Sequence, residues 1–216
     1  MDNKYLQYLT DSFTGKDNLK KVRDEAAKIE KTHEPEEYLS MAKELYTSEN
    51  FQVQEIGVFL FGYASSEFPS ALNFLRDVVS SHPSWKVQEV LAMAFDLYCS
   101  ISGYEKSLPV IKEWLKDSRA NVRRAVSEGL RIWTNRDYFK ENPQVAIELL
   151  SALKADESDY VRKSIGNALR DISKKYPILI DKELSSWNLS DKKTMQVYKL
   201  AYRYIQEKNL MNGEQK

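Results

Sequence analysis

A single cysteine, Cys99, stands in this chain of 216 residues, together with only two histidines, seven glycines and six prolines. One thiol cannot close an internal disulfide, and one thiol with two separated histidines is too poor a ligand set for a zinc site. So few glycines and prolines argue against an all-β fold, which needs a turn signal every few residues, and against a long flexible linker. The longest apolar window, Gly57 to Ala64, falls far short of the roughly 18 residues that read as a membrane span. No membrane partner is expected. The chain opens without the basic-then-apolar pattern of a secretory signal, so a reducing cytoplasm is the expected location. Catalytic signatures are missing too: there is no phosphate-cradling P-loop and no GxGxxG. His33 and His82 lie beside turn prolines and read as capping or solvent-facing groups. Nothing implies a metal or an organic cofactor.

What is present is helical. Hydrophobic residues make up 42% and charged residues 30%, enough for a core under a well-solvated surface. Turn signals separate stretches of roughly 12–18 residues with helical period, which predicts about twelve helices and no half-buried strand. Four segments superpose without gaps on Val53, Val87, Val122 and Val161, which lie 34, 35 and 39 residues apart. Each Val is followed by apolar or small residues at +4, +7, +8 and +11, as in Ile165, Ala168, Leu169 and Ile172. One apolar face is thus repeated four times, with small residues at +7 that let helices approach closely. Asp117 and Asp156 each precede a Val-Arg by five residues, where they can cap the helix. Asp-x4-Val-Arg followed by such a stripe is the pattern of the second helix of a HEAT repeat. The expected fold is an all-α HEAT-like repeat solenoid over residues 1–216, a single domain of about six helix pairs, clearest over residues 36–65, 69–102, 104–135 and 142–175. Such pairs share a continuous core only when stacked.

The stripe faces the stack, so recognition falls to another face. Positions +2, +6 and +9 share one side of the second helix. They read Glu55/Phe59/Gly62, Glu89/Met93/Asp96, Arg124/Glu128/Arg131 and Lys163/Asn167/Arg170 down the repeats. The formal net charge of zero hides a division: residues 1–108 hold 11 Lys+Arg against 17 Asp+Glu, and residues 109–216 hold 21 against 15. The late repeats are therefore expected to line a concave, basic surface suited to a phosphate backbone. Arg119, Arg123, Lys174, Lys175, Lys192, Lys193, Lys199 and Arg203 are candidates to widen it. The alternative is that these are ordinary solvated charges, some paired with Glu128.

Short HEAT-like pairs over the whole length, with Ile165-Gly166-Asn167-Ala168-Leu169-Arg170 in the last clear repeat, resemble the AlkD-type DNA alkylation repair proteins. The resemblance implies HEAT-like repeats wrapped around duplex DNA. It also implies, for active members, a DNA glycosylase that excises cationic N3- or N7-alkylated purines by holding the nucleotide against aromatic faces beside an Asp. The family segment Ser-Trp-Trp-Asp-x-x-Asp is similar to Ser84-Trp85-Lys86-Val87-Gln88-Glu89. Trp85 keeps one aromatic. The catalytic Asp falls on Gln88 or, with a one-residue shift, on Glu89. The second family Trp is replaced by Asn167, which has no π face, while a family Arg is matched by Arg124.

Trp85 and Glu89 are thus candidate catalytic remnants, and Arg119, Arg123, Arg124, Arg131, Lys163, Asn167 and Arg170 candidate DNA-binding residues. The expected function is a monomeric binder of duplex or structured DNA with weak or absent base excision, associated with the nucleoid if it binds DNA. An active glycosylase using Trp85 and Glu89, or a scaffold for a protein partner, are the alternatives.

Overall fold

The computed structural model describes residues 3–16 and 18–213, which contain no strand. They form α1 (Asn3–Ser12), α2 (Leu19–Thr32), α3 (Pro35–Tyr46), α4 (Phe51–Ala64), α5 (Pro69–Asp77), α6 (Trp85–Ser102), α7 (Leu108–Trp114), α8 (Ala120–Gly129), α9 (Asp137–Glu141), α10 (Pro143–Ser151), α11 (Asp159–Ser173), α12 (Pro177–Ser185) and α13 (Lys192–Gly213). The described residues form thirteen α-helices, against about twelve expected. The short α9 and the 3-10 turn Trp133–Asn135 sit after the third pair and account for the longer 39-residue interval between Val122 and Val161. Among the described residues no helix is long and apolar enough to cross a membrane.

Punctuation by proline sets the pairs. Pro35, Pro69, Pro109, Pro143 and Pro177 stand in the first turn of α3, α5, α7, α10 and α12. There the missing N–H removes no helical hydrogen bond and the fixed φ already suits the helix. Second helices start differently. The side chains of Asn18, Asn50 and Ser158 accept hydrogen bonds from the first-turn amides of α2, α4 and α11.

The chain falls into two compact units that meet in sequence at Gly103 and Tyr104. In the first, α4 lies between α2 and α6 and against α3. Its residues are buried nearly all round, Glu55 and Phe59 included. The +2, +6 and +9 face expected at the surface is therefore inside the stack in this repeat, because neighbours flank α4 on every side. Gly62 explains how α6 comes so near: a Cβ there would lie 2.9 Å from the Ala94 Cα and carbonyl oxygen. An amide clamp fixes the chain between α1 and α2. Gln52 donates to the carbonyls of Phe13 and Gly15 and accepts from the Asn18 amide, and Asn50 donates to Phe13.

In the second unit α11 packs between α8 and α13, with α10 and α12 behind. Hydroxyls of Ser127 and Ser164 meet at 2.6 Å between α8 and α11. On the other flank Gly166 admits Leu200, whose Cβ would lie 2.6 Å from an added Cβ. The helix α13 repeats the anchor pattern: Val197, Ala201 and Ile205 are buried where Val161, Ile165 and Leu169 are buried in α11.

Gly62→Ala tests the close approach. On an exposed helix the change would gain about 1 kcal/mol; here overpacking against backbone is expected to cost about 1–3 kcal/mol in urea denaturation. Unchanged or higher stability would show that α4 and α6 are not held at this distance.

Candidate nucleic-acid interface

The charged residues of the second unit sort into two groups, and the turns between helices decide which is which. At the start of α8, Asp117 accepts hydrogen bonds from the Arg119 amide and from the Arg119 guanidinium, at 2.8–2.9 Å. Arg123 spans to the next turn. Its Nε and Nη2 hold the Asp156 carboxylate at 2.6 and 2.7 Å, while Nη1 donates to the carbonyls of Asp117 and Ser118. Arg162 repeats the arrangement one pair later, donating to the carbonyls of Asp156 and Glu157 and to Gln196 of α13. The Arg123 and Asp156 side chains are only 12% and 6% exposed. Both ends of Asp-x4-Val-Arg are thus structural: Asp braces its own turn and Arg ties that turn to the next. Arg119 and Arg123, expected among the DNA-binding residues, are committed to these turns. The aspartates brace loop amides and arginines as well as preceding a helix.

Arg131 is similarly engaged, donating Nε to Asp171 at 2.7 Å and Nη1 to Glu128 at 3.3 Å. Burial works against its charge, but Asp171 and Glu128 outweigh that and raise its pKa. Burial would likewise push the Asp171 carboxyl up, yet hydrogen bonds from Lys174 and Arg131 hold it below the ordinary carboxylate value.

Arg124, Lys163, Asn167 and Arg170 differ. Arg124 lies one residue from Arg123, but about 100° around the helix. Among the described residues, the half-buried Arg124 and Arg170 side chains meet no acidic group. Lys163 is 57% exposed and pairs with Asp159 at 2.7 Å. The Asp159 carboxyl also receives hydrogen bonds from Gln196 and Arg162 and is held below the ordinary range, chiefly by Gln196 and Lys163. On α11 the spacing of Tyr160, Lys163, Asn167 and Arg170 places all four on one face. Tyr160 is 72% exposed, and the Lys163 ammonium lies 5.9 Å from its ring centroid. Sequence reasoning passed over Tyr160; a large aromatic just outside the apolar stripe was the available signal.

Trp85 and Glu89 come together in the first unit. Trp85, 66% exposed at the first turn of α6, lines a cleft of about 240 Å³ with Glu89, Glu55, Lys86, Leu19 and Val90. Gln88 turns away and donates to the His82 carbonyl. Of the two acidic-position candidates, the one beside the indole is Glu89. The cleft is smaller than the roughly 300–1,000 Å³ of small-molecule pockets, and Trp85 presents an open face to solvent.

Successive helix pairs, second helices packed side by side and Asp–Arg ties between turns define an all-α HEAT-like repeat protein. The profile of the DNA alkylation repair enzyme family matches residues 10–205, and the chain belongs to that family. Its fold is similar to that of AlkD2 from Streptococcus mutans, at 49% identity and a TM-score of 0.90 over 93% of this chain and 97% of that one. Pseudomonas fluorescens AlkC, an alkylpurine DNA glycosylase solved with DNA containing an abasic site analog, shares the fold. It is 22% identical with a TM-score of 0.50, over 87% of this chain and 61% of that one. The protein YhaZ of Bacillus subtilis (strain 168) is 36% identical over 108 residues, 48% of this chain; the match spans 30% of that relative's length.

Removing one member of the turn tie leaves a buried charge. Arg123→Ala is expected to lose about 3–5 kcal/mol of unfolding free energy, against within about 0.5 kcal/mol for Arg124→Ala next to it. Equal losses in chemical denaturation would mean that the two arginines are not divided as described.

Proposed function

We propose that this protein binds DNA through the outward face of α8 and α11, with weak or absent base excision. The observation that carries the reading is the pair Arg124 and Arg170: cations at corresponding faces of adjacent repeats, where packing needs no charge and, among the described residues, no acid neutralises them. A phosphate backbone supplies the missing anion and releases counterions as it binds. Lys163 adds a third cation and Asn167 a hydrogen-bonding amide on the same side. Family membership and the likeness to a DNA-bound alkylpurine glycosylase support DNA, duplex or structured, as the partner.

The weak-excision half of the proposal rests on what is missing. A cationic base is held best between aromatic faces with a carboxylate aimed at the charge developing on the sugar. Here the first unit offers one indole, Trp85, on an open cleft. The second aromatic position is Asn167, and Gln88 is engaged with the His82 carbonyl. An active glycosylase is the second reading, and a specific observation favours it: Glu89 lies beside Trp85 in the same cleft.

Fluorescence anisotropy with labelled duplex DNA across a salt series tests the binding. Affinity is expected to fall linearly on a log–log plot, and Arg124→Glu or Arg170→Glu to weaken it and flatten the slope by about one each. No binding at about 50 mM salt, or an unaltered slope in both variants, would sink the proposal. Release of 7-methylguanine from alkylated DNA is expected to stay near background. Robust release that disappears in Glu89→Gln would establish the second reading instead.

A further inference from the structure

We infer that Tyr160 is a stacking platform for an unpaired base, so that the α11 face distinguishes DNA with an unpaired or single-stranded stretch from continuous duplex. The inference rests on the DNA-binding reading above and names the form of DNA that this face takes. Tyr160 is the one aromatic among the exposed large apolar residues described in the second unit; the others are Ile132 and Ile178. Tyr160 stands outside the core, with the Lys163 ammonium 5.9 Å from its ring centroid.

Base faces in a continuous duplex are already stacked on each other, and only their edges and the backbone are accessible to a protein surface. A flat ring pointing into solvent therefore finds no matching face on intact duplex. An unpaired base offers one of any sequence, and ring-on-base stacking between cations that follow the backbone is how proteins hold single strands. The cations are in place. Lys163 is one turn along α11 and Arg170 lies on the same face further on, with Asn167 between them. A base on Tyr160 would carry its phosphate toward Lys163, which would exchange part of its contact with Asp159 for it. Asp159 can release Lys163 because Gln196 and Arg162 remain as donors.

The test uses the full chain, with a fluorescein-labelled 25-base-pair duplex, the same duplex carrying a five-thymine single-stranded gap, and the variants Tyr160→Ala and Tyr160→Trp. Wild type is expected to bind the gapped DNA roughly tenfold more tightly than the continuous duplex. Tyr160→Ala should abolish that preference with the salt slope unchanged, and Tyr160→Trp should retain it. A thermal melt checks that each variant folds, as expected for a side chain this exposed. Equal binding of the two DNAs by wild type, or a preference that survives Tyr160→Ala, overturns the inference while leaving the Arg124 and Arg170 dependence of duplex binding intact. If neither DNA binds, the DNA-binding reading fails and this one with it.

Discussion

A helix with an apolar stripe on one side and small residues on its flanks has no way to bury itself. Within each unit a pair is completed by its neighbour, and the structure of the unit follows from that requirement. Burial of Val161, Ile165, Leu169 and Ile172 depends on α8, α10, α12 and α13 being where they are. The helices approach as closely as they do because Gly62 and Gly166 present no Cβ to Ala94 and Leu200. Hydrophobic burial sets that the pairs stack, and it is non-directional. The registry of one turn on the next is set by directional contacts, namely the guanidinium of Arg123 between the Asp117 carbonyl and the Asp156 carboxylate, and Arg162 in the corresponding place.

This division of labour explains why the two halves of the protein look so unlike at the surface. In the first unit the side of α4 that corresponds to the later basic face is consumed by packing, and its one carboxylate, Glu55, lies at the edge of the Trp85 cleft. In the second unit the same side of α8 and α11 is only partly covered and carries the half-buried Arg124 and Arg170 and the exposed Lys163. A net charge of zero over the chain is thus the sum of an acidic first half and a basic second half.

The repeat was legible from sequence because its signal is periodic. Val anchors and stripe positions recur at helical spacing, and they are buried in the structure at Val53, Val87, Val122 and Val161. A fifth anchor, Val197, follows Val161 by 36 residues with Ala201 and Ile205 at +4 and +8, but no Asp-x4-Val-Arg surrounds it and Lys208 stands at +11, so its signal is weaker. The burial of the Glu55/Phe59/Gly62 face was not legible, since it depends on which helices flank α4 and not on α4 itself. Nor could sequence separate Arg123 from Arg124. The acid that claims Arg123 stands 33 residues away, and only the stack brings it near. The candidate site was therefore half readable: the identities of the cations were visible, and their availability was not.

The adjacency of Arg123 and Arg124 has a consequence for how such a surface can change. Two residues with the same side chain, next to each other in sequence, meet different surroundings: Arg123 is tied to the neighbouring turn, while Arg124 carries no such tie. Because a helix rotates by about 100° per residue, a substitution at the second leaves the first untouched. The repeat thereby works as a fixed chassis with an exchangeable panel. A side chain at the second position can therefore change its charge or size with little effect on the stacking of the turns.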